Sequence, residues 1–255
     1  MDWARRAVES EIECSRAFGS RPVEYADFVH MHHPSVPWGG DFNRAVGVKL
    51  SGVGSFEKIV GQVERFHKEK GLERPNRYDV YPPGLDRGLW QGPLREKGYD
   101  VDTAIFFSAP PLEESLPTDC TLVVPADDEY LSWFKAVVQA RRYYTAEWFE
   151  KVRPLQLGFT RLFRPYWLFR RRELLAWVYC AHLGGYTRLF GVEVDKACRH
   201  QGIGTILLHA MRAETRKMGA DAVLLQSGEH LRAFYEGAGF SECTRSSVIW
   251  RKGTD

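Results

Sequence analysis

Long apolar runs are missing from this 255-residue sequence. No stretch of about 18 hydrophobic residues is available to cross a bilayer. The first residues, Met1-Asp2-Trp3-Ala4-Arg5-Arg6, lead into acids rather than into the apolar core of a signal peptide. Cysteine is scarce and scattered: Cys14, Cys120, Cys180, Cys198 and Cys243 make no Cys-x-x-Cys pair. That excludes a disulfide framework and fits reduced thiols in the cytoplasm. A large excess of one charge is also absent. The formal net charge of +2 supplies no global attraction to nucleic acid or to an anionic membrane. What remains, 44% hydrophobic and 27% charged residues, is the composition of a globular protein long enough for one large or two small domains.

Residues 108–119, Ser-Ala-Pro-Pro-Leu-Glu-Glu-Ser-Leu-Pro-Thr-Asp, carry three prolines and no periodicity, the composition of a linker. The expected division is therefore 1–110, a linker over 111–119, and 120–255. In the second part, 120–125 reads as a strand, Asp127 can cap a helix through residue 140, and Thr145 can cap another through about residue 152. Strand-like runs at 160–169, 174–183 and 186–194 are separated by short turns, so they read as an antiparallel meander. A helix over 203–218 stopped by Gly219, a strand over 222–226, a short helix over 231–237 and a strand over 240–251 complete this part. The first part ends in the same order: strand 43–50, helix 56–70, strand 78–81, helix 89–97, strand 103–107. Glu96-Lys97-Gly98-Tyr99 aligns with Gly237-Ala238-Gly239-Phe240. The expected class is a mixed α/β fold of two related halves.

The stretch with chemistry is Val192-Glu193-Val194-Asp195-Lys196-Ala197-Cys198-Arg199-His200-Gln201-Gly202-Ile203-Gly204-Thr205. A short strand enters a basic, glycine-bearing turn that opens an amphipathic helix. Free amides at such a helix start are suited to phosphate oxygens, and the two glycines, Gly202 and Gly204, leave the backbone approachable. The corresponding turn of the first half, Ser51-Gly52-Val53-Gly54-Ser55, lacks the arginine. Leu94 stands where the second half has Tyr235. The first half thus reads as a degenerate copy that kept its packing.

At these residues the second half resembles the GNAT superfamily of N-acetyltransferases. Arg199, Gly202 and Gly204 meet the family's pyrophosphate-loop pattern, Val194 stands on the strand before it, and Tyr235 through Gly239-Phe240 meets a second signature. The resemblance is close over about 185–250 and topological before residue 110. It implies a GNAT-like acyl-CoA N-acyltransferase fold, acetyl-CoA as co-substrate without a metal, and an amine acceptor. The implied coenzyme contacts are Val192, Val194, Arg199, His200, Gln201, Gly202, Ile203, Gly204 and Thr205, the two valines acting through their backbone. The helix dipole adds roughly 0.3–1 kcal/mol of attraction per charge, and Arg199 adds a charge-assisted contact. Gly228 stands where the family has an asparagine before its last helix.

By the same resemblance Tyr235 is the general acid that protonates the leaving thiolate. The general base is less well marked. Arg188 and Phe190 fill the positions six and four residues before Val194, and neither can accept a proton at neutral pH. Glu193 is the nearest carboxylate, although strict strand alternation turns it away from Val192 and Val194. His182 and Tyr186 are reserve candidates. The expected activity is direct transfer of an acetyl group to a primary amine of a small molecule or peptide, by a cytoplasmic monomer or homodimer. The alternative is a non-catalytic acyl-CoA sensor.

Two further clusters compete for attention. His30, His32 and His33 suggest a metal, but no nearby cysteine or acid completes a ligand set. Trp38-Gly39-Gly40-Asp41 suggests a turn. Arg161, Arg164, Arg170, Arg171 and Arg172 interleave with Phe163, Tyr166, Trp167 and Phe169, a vocabulary shared by nucleic-acid binding and by the solvated face of a hairpin. The solvated face is the expectation, with no nucleic-acid or membrane partner.

Overall fold

The computed structural model describes residues 1–36, 43–72, 77–113, 116–140 and 146–252. Its elements in chain order are α1 (Trp3–Ala17), β1 (Arg21–Glu24), β2 (Val29–His32), β3 (Arg44–Val48), α2 (Val53–Lys70), β4 (Arg77–Val80), α3 (Arg87–Glu96) and β5 (Tyr99–Ala109). They continue with β6 (Cys120–Val123), α4 (Asp127–Ala140), α5 (Ala146–Leu162), β7 (Arg164–Arg170), β8 (Glu173–Leu183), β9 (Tyr186–Val194), α6 (Ile203–Lys217), β10 (Ala222–Ser227), α7 (Arg232–Gly237) and β11 (Ser241–Arg251). None of the described helices is long and apolar enough to cross a membrane. The Trp38–Asp41 turn and the Thr145 cap fall outside the described residues.

The chain packs as two compact units. One comprises Met1–Phe106, Ser227–Arg232 and Glu242–Asp255; the other comprises Phe107–Gln226 and Ala233–Ser241. Most of the final strand, β11, belongs with the first unit. Arg212 on α6 donates from Nε to the Pro110 carbonyl at 2.9 Å, the Leu112 amide donates to the Arg212 carbonyl at 3.3 Å, and Arg216 pairs with Glu113 at 2.7 Å.

In the first unit the strand order is β1-β2-β3-β4-β11-β5. β11 runs antiparallel to β4, with Ser247 opposite Val80 and Ile249 opposite Tyr78. Helix α2 presents Phe56, Ile59 and Val63 at helical spacing to a core containing Ala45, Val48, Tyr78, Leu94 and Ile249. The N-terminal helix α1, whose pattern was not recognised in the sequence, is capped by Asp2, which accepts from the Arg5 amide at 3.1 Å. α1 carries Glu11 to the buried Arg44 guanidinium at 2.9 Å, and Asp79 holds the same guanidinium at 2.8 Å.

In the second unit the order is β10-β9-β8-β7-β6. β7 through β9 form the expected meander, β6 pairs antiparallel with β7, and the β8–β9 turn uses Gly184 and Gly185, both with positive φ. Helix α5 runs ten residues further than the expected end near 152, absorbing the start of the expected 160–169 strand. The reason is packing: Phe159 and Phe163, one helical turn apart, stack at 4.8 Å and are buried. That spacing outweighs Pro154 inside the helix.

Candidate active site

The site begins where β9 parts from β10. β9 pairs with β8 along its whole length, but with β10 only at Tyr186–Ala222, Thr187–Val223 and Arg188–Leu224. Past Arg188 the strand bulges. Phe190 lies opposite Tyr179 and Glu193 opposite Trp177, so Gly191 and Val192 together face one residue of β8. Gly191 has φ +63, and a Cβ there would lie 3.2 Å from the Tyr179 ring. No bulkier residue fits without displacing that ring. The outer side of Val192 and Val194 therefore faces an opening between strands rather than a β-ladder.

The bulge also decides which side chains share a face. Residues opposite one another in an antiparallel pair project to the same side of the sheet. Trp177 and Tyr179 are two apart on β8 and share a side, which places Glu193 and Phe190 together on it. Val194 points the other way, toward α6, where its Cγ2 would be 3.4 Å from a Cβ on Gly204. Strict alternation, which would put Phe190 and Glu193 on opposite faces, fails here because one residue is inserted.

The turn after β9 is built by Asp195, whose carboxylate accepts from the Ala197 amide at 2.9 Å and whose own amide donates to the Leu175 carbonyl at 2.8 Å. His200 and Gly202 both adopt left-handed backbone, φ +62 and +76, so successive amides converge into a nest. The Ile206 amide closes the first helical bond onto the Gly202 carbonyl at 3.1 Å. Among the described residues, the amides of Gln201, Gly202, Ile203, Gly204 and Thr205 meet no acceptor of the chain. Arg199 donates from Nε to the Val194 carbonyl at 3.2 Å, and Gln201 donates to the Ala197 carbonyl at 3.2 Å. Both side chains thereby tie the loop to the strand it leaves.

The two loop glycines have different tasks. Gly202 sits in open space, and its left-handed conformation is what requires glycine. Gly204 is buried in ordinary helix, and a Cβ on it would meet the Phe234 ring at 2.8 Å. The missing Cβ at Gly204 is what admits Phe234. Ile203 is likewise a core residue, 1% exposed.

Phe234 connects the loop to the tyrosine. Its ring lies 4.9 Å from that of Tyr235, which is buried and also contacts Phe107 at 5.4 Å and Phe240 at 6.2 Å. The start of α6 and the tyrosine-bearing α7 are therefore one packed body. Arg188 is buried and donates to Gln226 Oε1 at 3.3 Å. The reserve bases are misplaced: Tyr186 and His182 lie at the opposite end of the hairpin, and Tyr186 is about 26 Å along the strand from Val194 at about 3.3 Å per residue. Sequence reasoning missed Gly191 and Phe234. An isolated glycine inside a strand was the available signal for the first.

The first half has the same parts in closed form. Gly47 (φ +68) bulges β3 as Gly191 bulges β9, but β3 stays paired with β4 through Val48, whose carbonyl accepts from the Tyr81 amide at 2.8 Å. Ser55 Oγ accepts from the Ser51 and Gly52 amides at 3.0 and 3.2 Å, so the turn satisfies two of its own donors. Leu94 is fully buried.

The remaining clusters resolve into packing. His30 is completely buried, and its Nε2 lies 3.1 Å from His67 Nε2; burial, then His67, lowers its pKa to about 3. Among the described residues no group of three or more His, Cys, Asp or Glu could hold a metal ion. In the arginine–aromatic run, Phe163, Tyr166 and Trp167 are buried while Arg161, Arg164, Arg171 and Arg172 are exposed. Arg170 pairs with Asp119 at 3.1 Å.

Comparison with known proteins agrees with this geometry. Residues 126–240 match the acetyltransferase (GNAT) family. No curated protein matches the chain. The fold is similar to that of a functionally unknown conserved protein from Staphylococcus epidermidis, at 14% identity over 92% of this chain and 95% of the other, with a TM-score of 0.73. It is also similar to a GCN5-related N-acetyltransferase from Kribbella flavida, at 15% identity over 99% and 97% and a TM-score of 0.62. A tandem GNAT protein of the clavulanic acid biosynthesis pathway matches at 14% identity over 84% and 75%, TM-score 0.52. The loop and the parted strand thus both lie within the segment, residues 126–240, that matches the acetyltransferase (GNAT) family.

Proposed function

We propose that the protein is an acetyl-CoA-dependent N-acetyltransferase with one working coenzyme site, within residues 120–255, and a first half that serves structure. The observation that carries this reading is the run of amides at residues 201–205 that meet no acceptor of the chain, beside a strand opening in the same unit. The residues fit the coenzyme: a nest with a positive helix end suits a pyrophosphate, and Arg199 is exposed beside it. Val192 and Val194 offer backbone groups to the pantetheine arm, and an amide aimed at the carbonyl oxygen stabilises charge developing there.

Bound acetyl-CoA supplies an activated thioester. Glu193, on the face shared with Phe190 and Tyr179, takes a proton from the acceptor amine as the new C–N bond forms. Tyr235 gives its proton to the sulfur as the C–S bond breaks, and each transfer is worth about 10²–10⁴ in rate. Direct attack in a ternary complex needs no covalent enzyme intermediate. The proposed setting is the cytoplasm, as a monomer or homodimer, with an amine acceptor and no metal.

The competing reading, an acyl-CoA sensor without turnover, is favoured by Phe190 and Arg188 at the positions where a base is expected. Titration calorimetry with acetyl-CoA, followed by thiol release over an amine panel, separates the readings. Binding with release supports the enzyme, binding without release with every acceptor supports the sensor, and no binding removes both.

A further inference from the structure

Phe190 is out of place for a packed β-protein. It is 38% exposed, and of the large hydrophobic side chains so exposed among the described residues it is the only one inside a strand. Its ring is nonetheless held firmly. Phe159 lies 5.6 Å away, Phe163 6.2 Å and Tyr179 6.4 Å, centroid to centroid, and the first two are buried. The result is a fixed aromatic platform with its outer face open. It adjoins the Gly191 bulge, on the side of the sheet that carries Glu193. The Cα positions of the two residues opposite Phe190 and Glu193 are about 7 Å apart along β8, so platform and carboxylate can be reached together by one small molecule. The charged neighbour on that side, Arg188, is 2% exposed and engaged with Gln226, so an arriving acceptor meets the ring first.

We propose that the acceptor is a primary amine on a compact apolar skeleton, an arylalkylamine above all, whose hydrocarbon part lies on Phe190 while its nitrogen faces Glu193. This inference rests on the acetyltransferase reading and adds to it the class of substrate and the residue that selects it. Exposed apolar surface beside a reacting centre costs free energy unless a ligand covers it, and stacking on an aromatic face is favourable. A sugar amine, a polyamine or an amino acid would leave the platform uncovered.

The test measures thiol release from the full chain with saturating acetyl-CoA and 2-phenylethylamine, hexylamine, glucosamine, spermidine or glycine. The expected kcat/KM for phenylethylamine exceeds that for each polar amine by about tenfold or more, the scale of a filled against an unfilled apolar subsite. Phe190→Ala should remove most of that advantage while the calorimetric affinity for acetyl-CoA stays within about twofold, showing that the fold is intact. Phe190→Leu should keep hexylamine turnover and lose the preference for the aromatic amine. Equal or better turnover of a polar amine overturns the inference and leaves the acetyltransferase reading standing. If no amine releases thiol, that reading fails, and binding of phenylethylamine to the coenzyme A complex then decides the platform. Binding that Phe190→Ala abolishes upholds it, and no binding refutes it.

Discussion

Substituting Gly204→Ala probes the contact on which the site's rigidity depends. The new methyl would stand 2.8 Å from Phe234 Cζ and 3.1 Å from its Cε2, well inside ordinary carbon–carbon contact of about 3.5–4.0 Å. The backbone at Gly204 is helical, so no conformational strain is added. Alanine is in fact the better helix former by about 1 kcal/mol. The ring must therefore yield, and it is packed against Tyr235. Overpacking of this kind costs about 1–3 kcal/mol, which in a chain of this size lowers the melting temperature by about 2–12 °C. The sharper measurement is a double-mutant cycle with Phe234→Leu, which frees the space that the methyl needs. Chemical denaturation of the four proteins should give a favourable coupling above about 0.5 kcal/mol, and turnover lost in Gly204→Ala should partly return in the double variant. Effects that add to within about 0.5 kcal/mol, the behaviour of independent sites, would refute the packing role of Gly204.

Three other perturbations follow from the same geometry. Tyr235→Phe should lower kcat by about 10²–10⁴ while calorimetric affinity for coenzyme A hardly changes; equal losses in both would remove its acid role. Glu193→Gln should depress kcat/KM by about 10²–10⁴ while calorimetric affinity for coenzyme A holds, whereas unchanged kcat/KM would show that the proton leaves by another route. His30 is buried neutral with its pKa lowered to about 3 by burial and then by His67; His32 and His33, also lowered by burial, stand on the same segment, with Lys70 and Arg21 acting on His32. The unfolded chain binds the His30 proton below about pH 6.5 and the folded chain does not, so this stability is full above pH 6.5. It falls by about 2 kcal/mol by pH 5. Urea titrations at both pH values check it, and a His30→Gln variant with the same slope as the parent would contradict it.

Local signals carried a large part of the site. The strand over 186–194, the glycine-bearing turn and the helix start near Ile203 were all readable, because each depends on a few consecutive residues: apolar alternation, a left-handed Gly202, helical spacing of Leu207, Ala210 and Met211. The likeness of the halves was readable for the same reason, and Gly98 and Gly239 take the same left-handed backbone, φ +82 and +80. Helix α5 was misjudged, since its continuation depends on Phe159 and Phe163 stacking within a core that local propensity does not describe. The bonds from Arg212 to Pro110 and from Arg216 to Glu113 join residues about a hundred positions apart, which no local pattern describes.

The residue order alone thus determined the local pieces of this protein: which glycine-bearing turn opens a helix, and which phenol and carboxylate the chain carries around it. Tertiary structure decided which of these groups face one another. The bulge at Gly191 needs β8 alongside it to turn Glu193 onto the side of Phe190. The opening beside Val192 exists because β10 stops pairing at Arg188, while continued pairing through Val48 closes its counterpart in the first half. Register between strands is set by contacts distant in sequence, so a glycine that marks a bulge reveals neither the face it exposes nor whether the strand beside it parts.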